Sequence, residues 1–236
     1  MASKRVLAFD FGASSGRAIL ATYTDGKIAM QEIHRFSNDP VNLCGTLYWD
    51  VQRLFFEIKQ GITKAVHQGG FDAIGIDTWG VDFGLLDAHG QLVANPVHYR
   101  DERTVGMMEK AYEKVPQQEL YDRTGIQLMR LNTVFQLVSL VENRPDLLER
   151  AETMLLMPDL LAYFLTGAKY AEYSEVSTTQ MLDPKTGDWA YDLLERLGIP
   201  TRILPKIIDP GTPYGSLRAD ICEELGCPQV PVIAVC

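Results

Sequence analysis

The sequence predicts an α/β fold built on a mixed central sheet, and three observations carry that prediction. The first is Val6-Leu7-Ala8-Phe9-Asp10-Phe11-Gly12-Ala13-Ser14-Ser15-Gly16-Arg17, an apolar strand that ends on a carboxylate and runs into a small, glycine-flanked turn. The second follows the turn signal Asp25-Gly26: Ile28, Met30, Glu32, His34 and Phe36 alternate with Ala29, Gln31, Ile33 and Arg35, as in a third, partly exposed strand. The third is a helical period after these strands, with Val51, Leu54, Phe55, Ile58, Ile62 and Val66 recurring up to the stop signal Gly69-Gly70. Strand, glycine-rich turn, strand, turn, strand is the opening of the actin-like ATPase (ribonuclease H-like) fold.

The first turn also bears on chemistry. A lone Asp in a buried run costs several kcal/mol unless something pairs with it. Gly, Ala, Ser, Ser, Gly is a composition that lets backbone N–H groups approach a phosphate. Together they point to a metal-nucleotide site. The loop is not a dinucleotide fingerprint, because only Arg17 to Tyr23 separate it from the next turn signal, too few residues for a crossover helix. Nor is it a P-loop, since the chain contains no Gly-Lys-Ser or Gly-Lys-Thr. A hairpin gripping phosphate is the reading that remains.

Along the chain, Asp50 is placed as the N-cap of the long amphipathic helix. Ala73 to Trp79 reads as a short buried strand, and Phe83 to Asp87 as another, closed by Ala88-His89-Gly90. From about residue 100 to 205 the pattern turns helical, with helices expected around 102–114, 134–143, 147–152, 158–166 and 190–197. This stretch is read as a helical insertion over the sheet. Pro205 to Pro213 reads as loop, Ala219 to Leu225 as a short helix, and Val230 to Cys236 as a buried strand. The sequence stops there without a polar tail, at a place where α/β enzymes put ligands, so half of an enzyme is expected.

Composition sets outer limits. At 236 residues the chain has room for one large or two small domains, with 46% hydrophobic and 22% charged residues. A net charge of -9 disfavours nucleic acid and anionic membranes as partners while leaving room for a local ATP site. No signal-peptide pattern and no 18-residue apolar run occurs, and a cytoplasmic location is expected. Cys44, Cys222, Cys227 and Cys236 lack paired spacing and read as reduced thiols, with neither zinc nor disulfides indicated.

Asp10 to Arg17, Glu32 to Phe36, Trp49-Asp50, Gly75-Ile-Asp-Thr-Trp-Gly-Val-Asp-Phe83, Tyr99 to Thr104, Leu156-Met-Pro-Asp159 and Leu165-Thr-Gly167 together resemble the N-terminal domain of the FGGY carbohydrate kinase family, over essentially the whole chain. Gly75 to Phe83 is the most specific part and is similar to the members acting on L-rhamnulose. The resemblance implies a two-domain actin-like fold, ATP and Mg²⁺, and transfer of the γ-phosphoryl group to a ketose hydroxyl, giving L-rhamnulose 1-phosphate. It places the whole chain in the N-terminal domain, with the general base just beyond Cys236 and half of the nucleotide site in an absent C-terminal domain. Phosphoryl transfer needs a carboxylate for the metal and donors for phosphate oxygens. Asp10 suits the first; Gly12, Ala13, Ser14, Ser15, Gly16 and Arg17 suit the second. Trp79, Gly80 and Asp82 are expected to line the sugar pocket, Gly80 leaving room for the ring and Trp79 packing on it.

Each assignment has a plainer counterpart. Asp10 caps a turn, the loop is a tight turn, Trp79 is core and Asp82 a turn residue. Arg100 stands between sugar contact and support, Asp101 and Arg103 read as an orienting ion pair, and Asn132-Thr133 as a helix cap. His34 and His98 read as surface or satisfied residues. The competing functions are another sugar kinase of the family, such as one for L-fuculose, an actin-like ATPase that takes no sugar, and a non-catalytic sugar-binding module.

Overall fold

The computed structural model describes residues 3–235. The chain begins with an antiparallel meander of β1 (Lys4–Phe11), β2 (Ser15–Thr24) and β3 (Lys27–Ser37), followed by the small hairpin of β4 (Val41–Leu43) and β5 (Thr46–Tyr48). Helix α1 (Val51–His67) starts at Asp50, whose Oδ1 accepts the Arg53 N–H at 3.0 Å. It buries Val51, Leu54, Ile58, Ile62 and Ala65 against the sheet and leads into β6 (Ala73–Asp77), parallel to β1. The strand β7 (Phe83–Leu86) follows.

The next hundred residues carry α2 (Met107–Lys114), α3 (Gln117–Thr124), α4 (Thr133–Asn143), α5 (Pro145–Arg150), β8 (Thr153–Leu156), α6 (Met157–Thr166), β9 (Tyr170–Glu172), α7 (Tyr173–Thr178), the pair β10 (Leu182–Asp183) and β11 (Asp188–Trp189), and α8 (Tyr191–Leu197). Then come β12 (Lys206–Ile208), β13 (Pro213–Ser216), α9 (Ala219–Leu225) and β14 (Pro231–Ile233). The central sheet is mixed, in the order β13-β14-β6-β1-β2-β3, with β14, β6 and β1 parallel and the flanking pairs antiparallel.

Two cores share this frame. One lies between the sheet and α1 and α6, and contains Phe9, Phe11, Ile58, Ile74 and Leu161. The other is built within the helical region around Phe135, Leu137, Leu193 and Leu197. The β7–β8 ribbon separates them. Successive side chains of a strand face opposite sides, so Leu86 and Leu155 enter the first core while Phe83, Leu85, Met154 and Leu156 enter the second.

Several sequence expectations are corrected. The strand from Phe83 pairs with β8, which the helical pattern hid, and not with the central sheet. The helix expected over 102–114 is a 3₁₀ turn at Glu102–Thr104 and a separate α2, divided by Gly106 at φ 76°. The helix expected at 147–152 begins earlier, at Pro145, whose fixed φ suits the first helical turn. The short, polar α3 and α7 were not anticipated, since neither has a long apolar stripe. The Pro205–Pro213 loop contains β12, paired with β9. The last strand is only Pro231–Ile233, and Cys236 lies outside the described residues.

Candidate functional site

The antiparallel register of β1 and β2 sets Arg17 directly opposite Asp10, and Phe11 opposite Gly16. The Arg17 guanidinium therefore meets the Asp10 carboxylate, with Nη2 at 2.6 Å and Nε at 2.8 Å from Oδ2. Both side chains stay more than two-fifths exposed, at 44% and 42%. Between them Gly12 to Ser15 form a closed loop: the Gly12 N–H donates to the Ser15 carbonyl at 2.8 Å. Asn38, buried at the end of β3, staples that loop by donating Nδ2 to the Gly12 carbonyl at 2.9 Å and its backbone N–H to the Ser14 carbonyl at 3.0 Å. Gly12 and Ser14 are exposed and Ala13 and Ser15 half-buried. Gly16 has a further reason for being glycine: a Cβ there would collide with the Phe36 ring, so its missing side chain makes room for core packing.

On the other side of β1, the parallel register aligns Asp77 with Asp10. Surrounding protein, and then the Asp10 charge, push the Asp77 carboxyl above its ordinary range. Two carboxylates thus sit on neighbouring parallel strands, close to the loop.

The second predicted site lies just past β6. Val81 has φ 70°, and the Asp82 N–H donates to the Gly80 carbonyl at 3.0 Å, a γ-turn of the rare positive-φ form. For a β-branched residue such a conformation costs of order 1–3 kcal/mol and persists only where its surroundings over-determine it. Here they do. The Val81 N–H donates to Thr178 Oγ1 at 3.1 Å, and its carbonyl accepts from Thr133 Oγ1 at 2.7 Å and Gln136 Nε2 at 3.2 Å. The space beside Gly80 is not free: a Cβ would stand 3.0 Å from Thr178 Cγ2 and Oγ1. Thr178 thus fills the space that a side chain at residue 80 would take.

Asp82 is 1% exposed and saturated. Its Oδ2 accepts from Trp49 Nε1 at 2.6 Å, Trp79 Nε1 at 3.1 Å and the Tyr99 N–H at 3.1 Å, and its Oδ1 from Gln136 Nε2 at 2.9 Å. Burial raises its carboxyl to about 6 against the opposing pull of these donors. Asp82 therefore holds an aromatic platform together and offers no free acceptor. In that platform Trp49 packs on Trp79 with centroids 3.9 Å apart and stacks on His98 at 4.0 Å. Burial lowers His98 to about 4, and its Nδ1 accepts the Arg100 N–H, so it is a satisfied neutral residue.

Other predicted residues fall nearby. Arg100 is exposed, its guanidinium 5.4 Å from the Tyr99 ring. Asp101 and Arg103 do not form the expected ion pair: Asp101 accepts the backbone N–H groups of Arg103 and Leu47, while the Arg103 guanidinium reaches Gln136. Asn132 stands at the N-cap of α4, but its side chain donates to the Gln127 carbonyl and Gln180. His34 is satisfied between Glu57 and Lys64.

Sequence reasoning missed a buried acidic group on α6, β9 and α7. Glu172 caps α7 by accepting the Ser174 and Glu175 N–H groups. Asp159 accepts from Tyr214 Oη at 2.5 Å and the Glu172 N–H at 3.0 Å. Burial drives Asp159 to about 7 and Glu175 to about 9, with the charge of Asp159 adding to the latter. The signal was available for Asp159, a lone carboxylate inside Leu155-Leu-Met-Pro-Asp-Leu-Leu161, the same pattern that drew attention to Asp10.

Among the described residues no three His, Cys, Asp or Glu form a metal cage. Mg²⁺ is usually held by one or two carboxylates together with phosphate oxygens and water. The accessible carboxylates of Asp10 and Asp77 beside an exposed loop fit that pattern.

Residues 5–236 match the N-terminal domain of the FGGY family of carbohydrate kinases. The chain is 42% identical to a rhamnulokinase of Oceanobacillus iheyensis over 93% of its own length, and 41% identical to a rhamnulokinase of Yersinia pestis over 98%. It spans about half, 47%, of each of those relatives. A gluconate kinase from Lactobacillus acidophilus superposes with a TM-score of 0.87 at 19% identity, over 98% of this chain and 47% of that one, which shows a shared fold.

Proposed function

Because the chain belongs to the FGGY family of carbohydrate kinases, we propose that it forms the N-terminal domain, residues 1–236, of an ATP-dependent sugar kinase that converts L-rhamnulose to L-rhamnulose 1-phosphate. The observation that carries the sugar assignment is the identity near 40% with proteins named rhamnulokinase across nearly all of this chain. On this reading the general base and the remainder of the nucleotide site belong to a C-terminal domain, the nearest partner of this one, and ATP supports a cytoplasmic setting.

The geometry supports a division of work. Asp10, aided by Asp77, is the residue that would hold Mg²⁺, which when bound neutralises charge on the transferring phosphoryl group. The loop Gly12 to Ser15 is pre-shaped by Asn38 and by its own Gly12 N–H to Ser15 carbonyl bond, so the N–H groups between those two residues would meet phosphate oxygens with little reordering. Arg17 supplies a positive charge beside them, its guanidinium oriented by Asp10. Trp79, Gly80 and Arg100 border the sugar side, with Asp82 fixing the Trp79 indole edge. A pre-organised wall of this kind lowers the ordering cost of binding.

The test is a coupled ADP-release assay of the intact protein with L-rhamnulose, L-fuculose and L-xylulose. Preference for L-rhamnulose supports the reading. Turnover of L-fuculose above L-rhamnulose moves the chain to another branch of the family, and ATP hydrolysis indifferent to sugar rejects kinase function.

A further inference from the structure

The second core leaves a cavity of about 160 Å³ between β5, β7 and the α4–α5 corner, away from the phosphate loop. An engineered cavity of about 150 Å³ is enough to bind benzene, so this one has room for a small ring. Its walls are mostly apolar, with Phe83, Val97, Leu140 and Leu147 among them, but three charged residues also line it, Arg103, Arg144 and Asp101.

Arg144 is held at the surface by Asp146, which takes Nε at 2.9 Å and Nη2 at 2.8 Å. Arg103 is the unusual one. Its Nη2 donates to Gln136 Oε1 at 2.6 Å, and its carbon end lies 5.8 Å from the Phe83 ring centre. Its Nε–H is buried with no partner. Among the described residues no carboxylate oxygen comes within ion-pair distance of it. The two nearest negative charges are committed elsewhere, Asp101 to backbone N–H groups and Asp82 to its four donors. A largely desolvated guanidinium with no directly bonded anion is costly, and burial lowers Arg103 to about 10 against the pull of the Asp82 and Asp101 charges. Its planar fork matches a carboxylate with two parallel bonds.

We propose that this cavity binds a small apolar carboxylate, with the carboxylate on Arg103 and the hydrocarbon body between Phe83, Leu140 and Leu147. The site is separate from the phosphate loop and rests on none of the sugar-kinase reading. It also has a wire to the aromatic platform: Gln136 joins Arg103 on one side to Asp82 on the other, and Asp82 holds Trp49 and Trp79. An occupant that recruits Arg103 therefore changes the surroundings of both indoles.

The probe is benzoate, with benzamide as its uncharged counterpart, titrated into the intact protein by calorimetry and by tryptophan fluorescence. Benzoate is expected to bind at least about tenfold more tightly than benzamide, with a change in indole emission. Leu147→Trp, which fills the cavity from its half-exposed wall, and Arg103→Gln, which keeps a donor for Gln136, are each expected to abolish benzoate binding while the far-ultraviolet spectrum stays native. Absence of benzoate heat with wild type overturns the proposal, as does equal binding of benzamide, a comparison that needs no variant. Benzoate binding unchanged in Leu147→Trp likewise places the ligand elsewhere.

Discussion

Asp10 and Asp82 look alike in the sequence, each a lone acid opening an Asp-Phe-Gly triplet in an apolar run, yet the fold treats them oppositely. Asp10 is two-fifths exposed, holds one arginine across a hairpin and sits beside a loop in which Gly12 and Ser14 are exposed. Asp82 is sealed, with four N–H donors on its two oxygens and a strained backbone held by Thr133, Gln136 and Thr178. One carboxylate is presented and the other is structural cement. The lesson is that a lone acid in an apolar run announces a constraint, and only its partners say whether the constraint is chemical or architectural.

The sharpest way to break this contrast is to neutralise each acid in turn. In the intact enzyme Asp10→Ala is expected to lower kcat by about 10²–10⁴-fold with little change in melting temperature, because an exposed ion pair contributes only about 0–1 kcal/mol. Steady-state kinetics beside a thermal melt decide it; wild-type kcat sinks the metal role. Asp82→Ala should do the reverse and destabilise by about 3 kcal/mol, since it strands buried indole and amide donors. Denaturant unfolding reads that loss, and a change below about 1 kcal/mol would show that the platform does not depend on Asp82.

The buried acids sharpen the comparison through pH. In the unfolded chain Glu175 ionises near its ordinary value of 4.5, whereas in the fold it keeps its proton to about 9. Its contribution is therefore fully favourable below about 4.5 and is lost as pH rises through that window, at about 1.4 kcal/mol per pH unit. Glu175→Gln should flatten the decline of stability between pH 6 and 8, measured by denaturant midpoints at each pH. Parallel curves for variant and wild type would mean that Glu175 is ionised in the fold. The smallest effect concerns Gly80→Ala, expected to cost about 1–2 kcal/mol through contact with Thr178. Addition of Thr178→Ser, which removes Cγ2 but keeps the hydroxyl that accepts the Val81 N–H, should recover part of that loss; a sugar-binding defect that persists in the double variant would support a place for Gly80 on the sugar side.

Much of this was legible in advance, and the failures have reasons. The meander, the Asp50 cap and the apolar stripe of α1 are local patterns, so they could be read directly. The β7–β8 ribbon could not, because Thr153 to Leu156 is too short to show a period and its partner is some seventy residues away. The burial of Asp82 depends on Trp49, Tyr99 and Gln136, which meet only in the fold. The γ-turn was hidden for a sharper reason: valine is a residue type that argues against positive φ. The demand that Phe36 makes on Gly16, twenty positions earlier, is invisible until the strands pair.

The eleven-residue β3 closes one end of the central sheet with almost its whole length exposed, Ile28 and Met30 at 65% and 74%. A free, apolar strand margin is a template on which a second chain can add its own strand. Three features blunt it. The register between β2 and β3 slips at Ala18 and Ile19, which bends the margin; the paired charges of Glu32 and Arg35 would have to be stripped of water by an added strand; and Lys27 opens the strand with a further charge. Removing those charges would turn a solvated border into a nucleus for aggregation during folding, so β3 reads as a strand shaped as much by what it must not recruit as by what it pairs with.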